Sequence, residues 1–268
     1  MDTTMVKSSC ATVVKNGGPK FAEWLAYQFA VGFDCVSILD NGSTDSTRRI
    51  AEQFRPHFDV RIADWSRTDA AYQRAGFEHL VRGARGEFDW VACIDSDEFI
   101  VLPEGRSLNA LLNAPPHAAA IRLPWAMFGS NGHESIPDDL VIRSFVRRAS
   151  DDFGPNKHIK TIVSPDRFIA CPNVHFFEID GTYVDMLHND VSVQSALQDK
   201  VPDYSGGQLN HYFVQSKDDW RAKLARGYHD CQRSFDEFFF YDRNDILDEK
   251  AAKLAPTVEG ILARIGTV

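Results

Sequence analysis

The 268-residue chain lacks both a long apolar run and an excess of basic residues. A membrane-spanning helix needs about 18 or more consecutive apolar residues, and a surface that binds a nucleic-acid duplex needs clustered Lys and Arg. Here 29 Lys and Arg stand against 38 Asp and Glu, which gives a formal charge of -9. The sequence therefore predicts a cytoplasmic protein with no transmembrane segment and no nucleic-acid partner.

Cysteine is scarce and scattered. The five cysteines are far apart along the chain and mostly have apolar neighbours; they are Cys10, Cys35, Cys93, Cys171 and Cys231. Zinc sites typically use cysteines in close pairs. The pattern favours buried, reduced thiols.

The glycine-rich motifs that hold phosphates are also missing. No G-x-G-x-x-G follows the first predicted strand, which weighs against dinucleotide-dependent oxidoreductases and methyltransferases with a similar turn. No G-x-x-x-x-G-K-[ST] occurs, so a P-loop is absent, and no G-x-S-x-G marks a nucleophile-elbow hydrolase. If a diphosphate binds this chain, a divalent metal is the usual substitute for a glycine loop.

The first hundred residues alternate strand-like and helix-like segments. The strand-like segments are residues 9–15, 34–40, 59–64 and 90–95, with helix-like segments between them. This alternation predicts an α/β fold with a mainly parallel sheet.

After about residue 103 the pattern becomes irregular. Strand-like runs occur at residues 118–128, 140–148, 157–163, 173–177 and 208–214, and a helix is predicted at 217–226. These runs predict an antiparallel extension of the sheet. We expect one continuous domain, residues 1–268, with halves of about 1–103 and 104–268.

Polar or acidic residues follow the four predicted parallel strands where each ends, namely Asn16, Asp40, Asp64 and Asp95. Ligands of such sheets bind outside the carboxyl ends of the strands. This edge is therefore the predicted binding site.

The segment WVACIDSDEFIVL, residues 90–102, places three acids between apolar runs. In an extended chain Asp95 and Asp97 project from the same side. Mn²⁺ and Mg²⁺ prefer carboxylates together with phosphate oxygens and waters. The motif predicts a site for Mn²⁺ or Mg²⁺ with a diphosphate, while an ordinary acidic turn is the alternative.

Three segments together resemble a known family: KNGGPKFAEWLAYQFAVGFDCVSILDNGSTDST, CIDSDEF and LNHYFVQSKDDWRAKLARG. These segments and their order along the chain resemble those of the family-2-like glycosyltransferases with the A-type nucleotide-sugar fold. The resemblance covers roughly residues 8 to 245. The resemblance implies metal-dependent transfer of a sugar from a nucleotide sugar, typically a UDP-sugar, to a hydroxyl of a glycan or glycolipid. It also implies inversion at the sugar.

The resemblance assigns nucleotide contacts to individual residues. Lys15 and Asn16 lie near the base and ribose, Asp40 is the acid that hydrogen-bonds the base, and Gln73 faces the nucleotide. The chain departs from the family at Gly17, where an acid is common after Lys-Asn.

The resemblance also assigns the metal ligands. Asp95 tends toward the ribose and the metal, Asp97 is the more direct ligand, and His211 is the third. Lys160 is a candidate for contact with the leaving diphosphate, with a solvated lysine as the alternative.

Inversion requires a carboxylate base on the face opposite the leaving group. Glu134, in the Gly-containing loop FGSNGHES, is the first candidate, and Asp236, before the aromatic cluster EFFFY, is the second. Trp125 and Phe128 are read either as sugar-stacking residues or as core.

Two other functions stay open at this stage. A sugar-phosphate nucleotidyltransferase shares an α/β nucleotide half and metal use, but KNGGPK is poorer in Gly and basic residues than its first loop requires. The second alternative is a non-catalytic protein that binds nucleotide sugars. Peripheral contact with the inner face of a membrane, made through the acceptor, is left open.

Overall fold

A computed structural model describes residues 5–227 and 232–266. Its strands are β1 Ser8–Val14, β2 Cys35–Asp40, β3 Asp59–Asp64, β4 Trp90–Cys93, β5 Glu98–Val101, β6 Ala118–Met127, β7 Arg147–Arg148, β8 Ile159–Val163, β9 Phe168–Ala170, β10 Glu178–Ile179, β11 Thr182–Val184, β12 Asp190–Val191, β13 Gln208–His211 and β14 Ile246–Leu247. Its α-helices are α1 Lys20–Val31, α2 Thr47–Phe54, α3 Tyr72–Gly83, α4 Leu108–Leu112, α5 Val141–Ser144, α6 Lys217–Arg226, α7 Glu237–Tyr241 and α8 Ala255–Ile265.

The first half forms the predicted parallel sheet. Strand β1 pairs in parallel with both β2 and β4, and β2 pairs in parallel with β3. Alternate residues of β1 enter two separate apolar clusters: Cys10 and Val14 belong to one, Ala11 and Val13 to the other. Both faces of β1 are therefore buried, as the continuous apolar run predicts. The α/β prediction is confirmed.

Strands from the second half complete the same sheet. Its order is β12-β11-β6-β8-β4-β1-β2-β3, and β13 joins it by pairing with β5 and β6. Strand β8 is antiparallel to β4 and β6, but β11 and β13 are both parallel to β6. The extension is thus mixed, and the purely antiparallel prediction is wrong for two of its pairs.

Two strand-like runs form other structures. Within residues 140–148, Val141–Ser144 is a short helix and only Arg147–Arg148 is extended. The carboxylate of Glu23 accepts the backbone N–H groups of Val141 and Ile142 at 2.6 and 3.0 Å, which satisfies the free donors of this helix start. Residues 173–177 form no strand.

Helix α1 fixes the strand that carries the acidic motif. Trp24 and Tyr27 are fully buried, and their side chains donate hydrogen bonds to the carbonyls of Glu98 and Ile100 in β5. The helix ends at Gly32, whose left-handed backbone (φ 117°) suits glycine. The turn before β5 is thereby held against a rigid helix.

Among the described residues, no helix has the length and apolar character needed to cross a bilayer. Cys10, Cys35, Cys93 and Cys171 are buried and unpaired, as predicted, while Cys231 lies outside the described residues. Burial raises the pKa of the Cys10 and Cys93 thiols.

Candidate functional site

A tight turn joins β4 to β5 and carries the two aspartates of the motif. The N–H of Asp95 donates to the Glu98 carboxylate at 2.7 Å, and the N–H of Glu98 donates to the Asp95 carbonyl at 3.0 Å. The turn lies at the carboxyl end of β4, where ligands of parallel sheets bind.

A buried lysine balances the first part of this charge. The ammonium group of Lys160, which is fully buried, lies 3.0 Å from the Asp95 carboxylate and 3.7 Å from that of Glu98. Burial lowers the pKa of Lys160, but the charges of Asp95 and Glu98 outweigh it and raise that pKa. Burial raises the pKa of Glu98 well above its ordinary value despite Lys160. The Lys160 ammonium group therefore lies between the two carboxyl groups and is closer to that of Asp95.

Two cationic or basic groups face Asp97. The Nε2 atom of His211 lies 3.5 Å from Oδ1, and the Nζ atom of Lys223 lies 2.6 Å from Oδ2. Burial raises the pKa of Asp97, but the charge of Lys223 and then His211 outweighs it and holds that pKa far below the ordinary range. Asp97 is therefore ionised at any physiological pH.

His211 reaches the motif through strand pairing. Strand β13 is antiparallel to β5, with His211 opposite Glu98, and the N–H of Tyr212 donates to the Asp97 carbonyl at 3.0 Å. Asp95, Asp97 and His211 line one cavity at this edge, and their roles as metal ligands stay a prediction.

An open cavity of about 240 Å³ lies over these residues. The ends of β1, β4 and β13 meet there, together with the start of α3 and the last turn of α6. Its lining includes Lys15, Tyr72, Gln73, Asp95, Ser96, Asp97, Trp125, His175, His211, Phe213, Lys223 and Arg226.

Trp125 forms one wall and is packed among histidines. Its ring centroid lies 4.3 Å from that of His211, 4.8 Å from that of His158 and 5.2 Å from that of His175. Burial lowers the pKa of His175 to about 3, so this ring is neutral. The Nε1 of Trp125 and the Nδ1 of His211 are buried without a hydrogen-bond partner. Phe128, by contrast, is fully buried core.

The predicted nucleotide residues divide into two groups. Lys15 and Gln73 line the cavity, and the Gln73 amide donates to the Asp95 carboxylate. Asn16 and Asp40 instead shape the loop after β2: Asn16 Oδ1 accepts from the N–H of Thr44 at 2.8 Å, and Asp40 Oδ1 accepts from the N–H of Ser43 at 2.9 Å. Asp40 is 3% exposed, so a contact with the base requires this loop to move.

The remaining candidates lie outside the cavity lining. Lys160 is enclosed as the counter-ion of Asp95, so the structure does not offer its ammonium group to a phosphate. Glu134 is exposed and pairs with Lys217 at 2.6 Å, and Asp236 is exposed just before α7. Among the lining residues that are described, Asp95 and Asp97 are the carboxylates.

Sequence reasoning missed two basic residues of α6 that line the cavity. Lys223 contacts Asp97, and Arg226 donates to the carbonyl of Lys15 at 2.9 Å. They are three residues apart and so share one face of the helix. This spacing, on a helix that directly follows the His211 strand, is the signal that could have revealed them.

Two of the three predicted ligands are available to a divalent metal. Asp97 and His211 offer a carboxylate and an imidazole 3.5 Å apart, but both oxygens of Asp95 are engaged, by Gln73 and Lys160. No group of three His, Cys, Asp or Glu side chains suited to one ion occurs in residues 5–227 and 232–266. Because Mn²⁺ and Mg²⁺ accept phosphate oxygens and waters besides one or two protein ligands, the pair fits a metal held jointly with a diphosphate.

Comparison with known families assigns the chain. The model for glycosyltransferase family 92 matches residues 15–249, a range that includes the turn, His211 and α6. The chain belongs to glycosyltransferase family 92. The resemblance to glycosyltransferases is thereby confirmed, while the narrower family-2-like placement stays a prediction.

Curated plant proteins of family 92 are similar to this chain. A Ricinus communis protein is 27% identical over 220 residues, which cover 80% of this chain and 37% of the relative. An Arabidopsis thaliana protein is 27% identical over 232 residues, covering 80% and 36%. The chain thus spans little more than a third of the length of these family 92 relatives.

Solved glycosyltransferase structures show lower similarity to this family 92 chain. S. aureus TarS 1-349 in complex with UDP has 17% identity and a TM-score of 0.38, over 59% of this chain and 47% of that one. Glucosyl-3-phosphoglycerate synthase of Mycobacterium tuberculosis with Mn²⁺ and UDP has 16% identity and a TM-score of 0.31, over 45% and 44%. The family assignment rests on the family model.

Proposed function

We propose that this chain has the A-type nucleotide-sugar fold and transfers a sugar from a UDP-sugar to a hydroxyl of a glycan or glycolipid, with a divalent metal and with inversion. The observation that carries the proposal is the approach of Asp97 and His211 to 3.5 Å at the carboxyl edge of the sheet. Both line a polar cavity that also holds Lys15 and Lys223. A metal-binding pair beside two cations suits a diphosphate.

The donor's diphosphate is placed over the turn between β4 and β5. Asp97 and His211 would hold the metal there, and its presence would supply Lewis-acid stabilisation of the leaving diphosphate. Asp95 keeps the amide of Gln73 in place through its side-chain hydrogen bond. Lys15, on the same cavity wall, neutralises phosphate charge.

The acceptor side is proposed to lie toward Trp125 and the loop that carries Glu134. The Trp125 ring borders the cavity next to His211, and its small exposed part is the proposed contact for a sugar ring. Glu134 is tied to the start of α6, where the N–H of Asp218 donates to its carbonyl at 3.1 Å. Glu134 thus remains the first candidate for the base, and Asp236 the second.

Calorimetry with UDP tests this function directly. UDP should bind in the presence of Mn²⁺ and lose at least about tenfold in affinity in excess chelator, because Asp97 and His211 would hold the diphosphate with the help of the metal. GDP is the control for base recognition. If UDP binds neither with Mn²⁺ nor in excess chelator, the proposed function is wrong.

Product analysis separates the open alternatives. A glycosyltransferase releases UDP from a UDP-sugar, whereas a sugar-phosphate nucleotidyltransferase forms a UDP-sugar and pyrophosphate from UTP and a sugar phosphate. A non-catalytic protein binds UDP without either reaction. A location at the cytoplasmic face of a membrane, with contact through the acceptor, stays a prediction.

A further inference from the structure

Lys223 occupies the coordination space of Asp97. Its ammonium group lies 2.6 Å from Asp97 Oδ2 and donates to the carbonyl of Phe213, also at 2.6 Å. The side chain is 14% exposed and borders the cavity. One of the two carboxylate oxygens of Asp97 is therefore already held by a protein cation, while the other faces His211.

This contact is not what attaches α6 to the rest of the protein. The helix begins with a capping box between Ser216 and Asp219, and Trp220 is fully buried. Lys20 pairs with Asp219 at 2.6 Å, and Arg226 donates to the Lys15 carbonyl. Both ends of α6 are thus anchored by other residues, and the Lys223 side chain is free to exchange partners.

The charges at the site show when such an exchange is favourable. Asp95 and Lys160 neutralise each other, and so do Asp97 and Lys223. A divalent cation arriving alone would face the ammonium group of Lys223 across a single carboxylate. A cation arriving with a diphosphate brings negative oxygens that Lys223 can bind instead.

We propose that Lys223 is an exchangeable counter-ion that competes with the divalent metal for Asp97 and, once displaced, binds the donor diphosphate. This inference rests on the proposed function and names the residue that couples its two ligands. Lys223 weakens metal binding in the empty site and strengthens it when the nucleotide is present. Because such coupling is reciprocal, the metal must also strengthen nucleotide binding through Lys223.

Direct binding measurements test the inference without any turnover assay. Mn²⁺ binding is measured by electron paramagnetic resonance, and UDP binding by calorimetry at saturating Mn²⁺. Lys223→Met should bind Mn²⁺ alone about tenfold more tightly than the unmodified protein and UDP about tenfold more weakly, within the usual range of coupling between sites. Lys223→Arg, which keeps the charge, should restore most of the UDP affinity.

Arg221→Met is the matched control, since it removes a positive charge from the same helix at an exposed position outside the cavity lining. It should leave both affinities unchanged. Circular dichroism and a thermal melt verify that each variant is folded, and Lys223→Gln replaces the Met variant if that one unfolds.

The outcomes separate the two proposals. If UDP binds with Mn²⁺ but removal of the Lys223 charge leaves the affinity for Mn²⁺ alone unchanged, the exchange is wrong and the proposed function stands. If the unmodified protein binds no UDP with Mn²⁺, the proposed function fails and the exchange fails with it.

Discussion

His211 lies 3.5 Å from Asp97 although the two residues belong to opposite halves of the chain. Antiparallel pairing of β13 with β5 sets His211 opposite Glu98, one residue beyond Asp97. The approach of His211 to Asp97 is thus a consequence of strand register, and a slip of one residue would turn the imidazole to the other face of the sheet.

Asp97→Asn tests the metal-binding role of this pair. The amide is similar in size but lacks the charge, so at saturating Mn²⁺ the affinity for UDP should fall about tenfold or more. In calorimetry, the UDP affinity of this variant with Mn²⁺ should equal that of the unmodified protein in excess chelator. Asp199→Asn, at an exposed position, is the control. If the variant keeps the Mn²⁺-dependent gain in UDP affinity, Asp97 is not a metal ligand.

Lys160→Met tests the buried counter-ion. Loss of the fully buried ammonium group leaves Asp95 without its partner, and breaking a buried ion pair from one side costs about 3–5 kcal/mol. Urea denaturation should show a loss of this size, and the double variant with Asp95→Asn should recover part of it. Lys200→Met, at an exposed position, should change the free energy of unfolding by less than about 0.5 kcal/mol. Equal stability of Lys160→Met and Lys200→Met would show that the pair is not required.

The parallel half of the fold can be predicted well from the sequence, because the residues that mark each strand and helix lie within that strand or helix. Strands β1, β2 and β4 appear as largely apolar runs, β3 as a short segment with apolar residues at Val60 and Ile62, and Gly32 marks the end of α1. Val141–Ser144 escapes such reasoning, since its first N–H groups are satisfied by Glu23 from a distant helix. Tertiary contacts override local propensity at such points.

The site is predictable only in part for a similar reason. Strand-end acids and the His211 strand can be read from the sequence, and the structure brings Asp97 and His211 together. The lysines that pair with these acids cannot be read from the sequence. Lys160 reaches Asp95 only through the pairing of β8, and Lys223 reaches Asp97 only through the docking of α6. From the sequence alone, a metal is predicted to neutralise the negative charge of Asp95 and Asp97.

Glu134→Gln tests the first candidate for the catalytic base. The side chain is 68% exposed and outside the cavity lining, so UDP affinity should stay within about twofold, while loss of a general base should slow transfer by about 100-fold or more. UDP release from a panel of UDP-sugars, with simple glycosides as acceptors, measures the rate. Glu249→Gln is the control. An unchanged rate would exclude Glu134 and move the test to Asp236→Asn.

Glu23 is expected to make the stability of the fold depend on pH. Burial raises the pKa of Glu23 from 4.5 to about 7, although the N–H groups of Val141 and Ile142 oppose this shift. Because the folded pKa is the higher one, the stabilising contribution is complete below the unfolded value and disappears as pH rises through about 7.

The comparison with Glu23→Gln isolates this effect, because glutamine does not titrate. The free energy of unfolding of the unmodified protein, minus that of the variant, should fall by about 3 kcal/mol between pH 4.5 and 8. Urea titrations at half-unit steps of pH measure it, and Glu259→Gln at an exposed site should show no such slope. A difference that stays constant across this range would mean that the buried carboxyl group keeps its ordinary pKa in the folded protein.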